Sequence, residues 1–188
     1  MYLFFDGVSS KGYLALFNDD RAIVADQVFE ISGNESTKTI PMIDEFISSQ
    51  SVSYDDIKNI VVVVGPGSFT GIRTISLVVN TLAYIHPHIS LTSVNFFDMY
   101  NDYPIIKSSS KRDMFVKYEK SATIEIQSNM DFISGFSGES VFGDTGDLEI
   151  NNKFNLKSSI DYELLIKNIT LKEEKRVAPL YIKKPNIS

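Results

Sequence analysis

Ile60-Val61-Val62-Val63-Val64-Gly65-Pro66-Gly67-Ser68-Phe69-Thr70-Gly71 is the stretch on which the reading of the fold turns. Five consecutive β-branched residues suit a strand covered on both faces, as in the parallel part of an α/β sheet. The run stops at a glycine-proline turn, and residues 71–85 then read as a helix. His86-Pro87-His88 ends that helix, because proline disfavours helical geometry in the residue before it.

Outward from this strand, Tyr2 to Asp6, Tyr13 to Phe17 and Ala22 to Ile31 are short apolar or alternating runs separated by turn-rich residues, and they predict three antiparallel strands. Pro41 suits a first helical position, with Thr39 or Ser36 as cap and with Ile43, Phe46 and Ile47 at helical spacing, so a helix is expected over 39–50. The order is β-β-β-α-β-α. The second half repeats it more faintly. Pro104 to Lys107, Met114 to Glu119 and Ala122 to Gln127 read as strands, a weak helix is expected near 129–138, and Ser140 to Phe142 is a fourth strand running into Gly143-Asp144-Thr145-Gly146-Asp147. A helix over 158–169 follows, with Ile160, Leu164, Leu165, Ile166 and Ile169 as its apolar face. An internal duplication predicts two similar α/β lobes facing each other across a cleft, residues 1–98 forming the first and 99–188 the second, smaller and degenerate one.

Composition bounds the chemistry. The chain has 188 residues, 43% of them hydrophobic, no cysteine and two histidines. Disulfides, thiol catalysis and cysteine-ligated zinc are excluded, and His86 and His88 sit at an exposed corner where a metal site is not expected. A formal charge of −6 opposes unaided binding to a phosphate backbone. No apolar run reaches the roughly 18 residues of a membrane span, and the chain opens on strand-like residues rather than a basic and apolar leader, so a cytoplasmic protein is expected.

The glycine-rich turn between strand and helix leaves backbone N–H groups free to hold an anion, with Ser68 and Thr70 as further donors. It lacks the lysine of a Walker loop and the glycine spacing of a dinucleotide fingerprint. Asp6, Gly65, Gly67, Ser68, Thr70 and Gly71 are therefore candidate anion or nucleotide contacts, and the alternative is a tight turn whose glycines permit close packing. Asp6 would face Ser108 across the cleft, which offers one carboxylate where a two-metal site needs several oxygens; Asp144 and Asp147 read as turn formers. Lys172-Glu173-Glu174-Lys175-Arg176 reads as a solvated face or linker.

Phe5-Asp6-Gly7-Val8-Ser9-Ser10, Ile40-Pro41-Met42, Gly65-Pro66-Gly67-Ser68-Phe69-Thr70-Gly71-Ile72-Arg73 and Ala178-Pro179-Leu180-Tyr181-Ile182-Lys183 together resemble the TsaB (YeaZ) family. The resemblance implies two lobes of the actin and Hsp70 ATPase fold, ribonuclease H-like in each half. It also implies a non-catalytic partner of the related enzyme TsaD, with the ATPase TsaE joining the pair, in forming N6-threonylcarbamoyladenosine in tRNA. No cofactor would be required by this chain, ATP and Mg²⁺ belonging to the assembled complex, and tRNA would be reached only through that complex. Where family members carry Thr or Ser after the first Asp this chain has Gly7; Ser36 replaces a histidine, and Ser108-Ser109-Ser110 replaces Asp-Ala-Arg.

Ile72, Ile75, Leu77, Val78, Val79, Leu82, Ala83, Tyr84 and Ile85 leave the helix after Gly71 almost no polar face, which calls for a second covering surface. That surface is either the helix over 39–50, within a well-buried lobe, or another subunit. Pro41, Ile43, Phe46, Ile75, Val79 and Leu82 are accordingly candidates for a partner interface, with a TsaD homologue or with a second copy of the chain. Val79 and Leu82 lead among them. The competing reading is a self-sufficient nucleotide-binding ATPase of the actin-like superfamily using the cleft.

Overall fold

The computed structural model of the protein describes residues 1–31, 35–146 and 154–182. Two five-stranded sheets form it. The first runs in the order β3 (Ile23–Glu30), β2 (Lys11–Phe17), β1 (Tyr2–Asp6), β4 (Asn59–Val63), β5 (Ser90–Val94). The second runs β8 (Glu125–Ser128), β7 (Asp113–Lys117), β6 (Ile105–Ser108), β9 (Ser140–Asp144), β10 (Asn155–Lys157). In each, the opening strand pairs antiparallel with the next and parallel with the fourth, so the two orders are the same along each half. The matching strand orders bear out the mixed α/β duplication expected from the sequence.

Packing explains why Ile60–Val64 carries no polar alternation. Leu3, Phe5, Leu14, Leu16, Ile60 and Val62 point toward helices α1 (Glu35–Ser49) and α2 (Phe69–Ile85). Phe4, Ala15, Phe17, Val61 and Val63 point the other way, onto Ile105 and Phe115 of the second sheet. Ile166 of the helix near the C-terminal end, Tyr162–Asn168, packs there too. The first sheet is therefore covered on both faces, the condition that favours continuous apolar strands. Beneath α3 (Asn129–Gly135) a third cluster gathers Ile106, Met114, Val116, Phe132 and Val141. The helix of residues 162–168 is α4.

Several boundaries differ from the sequence reading. α1 begins at Glu35, which places Pro41 inside the helix rather than at its first position and Thr39 in a buried helical turn rather than at a cap. An interior proline costs about 3 kcal/mol, and burial of Ile43, Phe46 and Ile47 offsets it. α2 begins at Phe69 because the Ser68 side chain accepts the Gly71 N–H at 3.0 Å and caps the helix. Two strands escape the sequence reading. In β5 the apolar residues are Leu91 and Val94 alone, and polar partners hold it: Thr92 Oγ1 accepts the N–H of Lys172 and donates to its carbonyl, both at 2.9 Å. The three-residue β10 is too short to read from periodicity, and it intervenes before α4, which is shorter than 158–169 and leaves Ile160 and Ile169 outside.

A division at residue 98 assigns residues 171–182 to the second lobe, yet they pack on the first. Glu174 bridges Leu91, the Leu180 N–H donates to the Val64 carbonyl at 2.9 Å, and the Asn80 amide exchanges two hydrogen bonds with the Val177 backbone. Glu174 thus sits in an edge bridge rather than a solvated linker.

The candidate partner residues also move. Ile43, Phe46, Ile75, Val79 and Leu82 are at most 4% exposed, because α1 and α2 lie side by side on the sheet and turn those positions inward. The most exposed apolar residues of α2 are Leu77, Tyr84 and Ile85, at 68%, 86% and 61% exposure. Pro41 is exposed. Among the described residues no helix is long and apolar enough to cross a membrane.

Candidate functional site

The loop after β1 and the ends of β6 and β9 enclose a cleft of about 560 Å³ between the lobes. Its walls bring together Gly67, Ser68 and Gly71 with Ser9, Lys107 and Ser108. Thr70 instead lines a groove on the outer side of α2. Gly65 lies outside the cleft lining too: its φ of +129° is open to glycine, a Cβ there would stand 3.1 Å from the Leu180 carbonyl oxygen, and its own carbonyl accepts the Phe96 N–H. At Gly65, then, the turn serves as a seat for the C-terminal segment.

Asp6 is fully buried at the end of β1, and its oxygens are spoken for. Oδ1 accepts the N–H groups of Val8 (2.8 Å) and Ser9 (3.1 Å); Oδ2 accepts the Ser9 hydroxyl (2.6 Å) and the Tyr162 hydroxyl (3.0 Å). The carboxylate therefore organises its own loop, an Asx-type turn, and anchors α4. Tyr162 stacks on Tyr13 with centroids 3.7 Å apart. Burial, and then the adjacent Asp6 carboxylate, pushes its phenol far above the ordinary value, so it stays a donor.

Across the cleft the residue that reaches the first lobe is Lys107, one position before the expected Ser108. Its ammonium donates to Asp144 Oδ2 (3.2 Å) and to the Val8 carbonyl (2.9 Å), and stands 4.4 Å from the Phe96 ring centroid. Asp144, paired with Lys107 in the β6–β9 register, also accepts the N–H groups of Ser10 (2.6 Å) and Gly146 (2.9 Å). Burial raises the Asp144 carboxyl, but the Lys107 ammonium and these two N–H donors outweigh it and hold the group below the usual carboxylate range. Asp144 is thus half of a buried ion pair bolting the lobes together rather than a simple turn former. Asp147 lies outside the described residues.

Lys107, Tyr162 and Tyr13 were missed by sequence reasoning. The available signal was a charge of each sign at the same depth of two adjacent apolar strands, Ile105-Ile106-Lys107 and Val141-Phe142-Gly143-Asp144. His86 and His88 form the expected surface corner, with His86 stacked on Tyr54.

Phosphoryl transfer in such a cleft needs carboxylate oxygens free to hold Mg²⁺. The residues here do not fit that ion: Asp6 is saturated by four donors, and Asp144 is neutralised by Lys107. Among the described residues no group of three or more His, Cys, Asp or Glu could hold a metal.

Residues 30–100 match the family model described as TsaD, tRNA N6-adenosine threonylcarbamoyltransferase. None of the curated protein sequences matches the chain significantly. Among solved structures, the chain is similar to an uncharacterized Pseudomonas aeruginosa protein with similarity to peptidase YEAZ, at a TM-score of 0.70 and 16% identity over 97% of this chain and 99% of that one. It is also similar to YeaZ from Pseudomonas aeruginosa, at a TM-score of 0.58 and 16% identity over 76% and 74%. The chain thus shares the fold of these YeaZ structures, and its residues 30–100 match the TsaD family model.

Proposed function

We propose that the chain is a non-catalytic, actin-like subunit that supports a TsaD-type enzyme in forming N6-threonylcarbamoyladenosine in tRNA, docking through the outward face of α2. The observation that carries the non-catalytic part is the state of the cleft, where each buried carboxylate is committed to internal donors, Asp144 to the Lys107 ammonium among them. Support for the pathway comes from the family-model match over the first lobe. Support for the docking face comes from Leu77, Tyr84 and Ile85, three large apolar side chains left in water on one helix.

Co-purification tests this directly. Leu77→Glu and Tyr84→Glu replace exposed side chains, so each free variant should melt within a few degrees of the parent. An unpaired carboxylate buried in an interface costs several kcal/mol, and a micromolar complex has only about 8 kcal/mol to lose. Loss of co-elution with the TsaD-type subunit, and of modified adenosine in a reconstituted reaction, is the expected result. Retention of both in two folded variants would remove α2 from the interface.

The second reading, an independent ATPase, makes a different forecast. The isolated chain should hydrolyse Mg-ATP no faster than background; turnover abolished by Asp6→Asn would overturn the non-catalytic assignment.

A further inference from the structure

A second concavity lies on the opposite flank of α2 from the cleft. It is a groove of about 690 Å³ between α2 and the returning segment 176–181. Its far wall is fixed in place, since the Asn80 amide both donates to the Val177 carbonyl and accepts the Val177 N–H, each at 2.9 Å. Two guanidinium groups, Arg73 and Arg176, line it, and no acidic residue is among its described lining residues. In a chain of net charge −6 that is a local reversal of sign. Neither arginine is in an ion pair among the described residues.

Three aliphatic hydroxyls share the groove with them: Thr70, Thr74 and Ser76. Ser76 is 3% exposed and its Oγ has no hydrogen-bond partner among the described residues, an uncommon state for a buried hydroxyl. At the rim, Phe69 and Tyr181 pack with ring centroids 5.1 Å apart, and the Arg73 guanidinium lies 5.2 Å from the Phe69 centroid, which restrains it.

From this arrangement we propose that the groove binds a small phosphorylated molecule, its phosphate oxygens taken by Arg73 and Arg176 and by the hydroxyls of Thr70, Thr74 and Ser76. Guanidinium forks match phosphate and carboxylate alike. Phosphate is the better fit because two forks and three hydroxyls offer more donors than the two oxygens of one carboxylate can accept. The volume lies in the range of small-molecule sites. The groove shares Leu77 with the proposed docking face, and the assignment concerns the free chain.

Titration of the full chain with pyrophosphate, with citrate as the carboxylate arm, tests it by calorimetry and by amide chemical shifts. Saturable pyrophosphate binding is expected, with shifts confined to residues 70–80 and 176–181 and with citrate weaker. Arg73→Gln and Arg176→Gln should each weaken binding by about tenfold or more. The shifts in the unmodified chain keep the result decisive whatever the variants do to folding. Failure to saturate by about 10 mM, shifts located elsewhere, tighter binding of citrate, or unchanged affinity in a folded double variant would each overturn the proposal.

Discussion

Lys107→Met is expected to destabilise the free chain by about 3 kcal/mol, lowering its melting temperature by about 6 to 12 °C for a chain of this size. The lysine is buried with Asp144, at 6% and 9% side-chain exposure, and removing it strands a carboxylate whose remaining donors are two backbone N–H groups. It also leaves the Val8 carbonyl without the ammonium that joins the lobes. The double variant Lys107→Met with Asp144→Asn removes both charges together and should be less damaged than the sum of the single variants, since the loss lies in the unpaired charge. Additive effects across that cycle would show that the pair contributes nothing specific.

The same pair sets an acid limit. Asp144 has a folded-state value depressed below its unfolded one, so its stabilisation is complete above about pH 4 and is lost as the pH falls through the lower folded value. Melting temperatures recorded between pH 3 and neutrality should therefore fall less steeply on the acid side in Asp144→Asn than in the parent. Parallel profiles would assign the acid limb to other carboxylates.

Gly143→Ala is the larger perturbation. Gly143 has a φ of +127° and faces Ile106 in the parallel register of β6 and β9, and a Cβ there would lie 1.9 Å from the Ile106 carbonyl oxygen. Unlike a contact with the end of a side chain, this one is with backbone inside a ladder, so relief requires the two strands to separate. Backbone strain and overpacking together put the cost at about 3 to 5 kcal/mol. The second lobe should lose its cooperative transition, or the protein should fail to accumulate in soluble form. Alanine at Gly135, where a Cβ meets nothing within 4 Å, is the control and should be close to neutral. A parent-like melting curve for Gly143→Ala would mean that β6 and β9 are not held at this spacing.

Much of the architecture was legible from local pattern. The unbroken Ile60–Val64 run requires cover on both faces, and the two sheets and helices that supply it follow from a duplicated order of strands and helices. Composition removed whole classes of chemistry without reference to any contact, because absent cysteines and a pair of histidines do not depend on folding. Periodicity could establish that α2 is apolar nearly all round. It could not say that Val79 and Leu82 face the sheet while Leu77 and Tyr84 face water, since that depends on the rotation of the helix against α1 and the strands beneath it.

The site was decided by tertiary structure for a related reason. Asp6 alone reads as a free strand-end carboxylate, and only the arrival of Tyr162 from 156 positions away, alongside its own loop, shows that no oxygen is spare. Lys107 and Asp144 are 37 positions apart and carry meaning only once parallel pairing sets them side by side, where burial makes each charge dependent on the other. Sequence determines which elements form, because propensity and periodicity act over a few residues. Which side chains those elements bring within hydrogen-bonding distance is a property of their packing, and the polar chemistry of this protein lies in those long-range contacts.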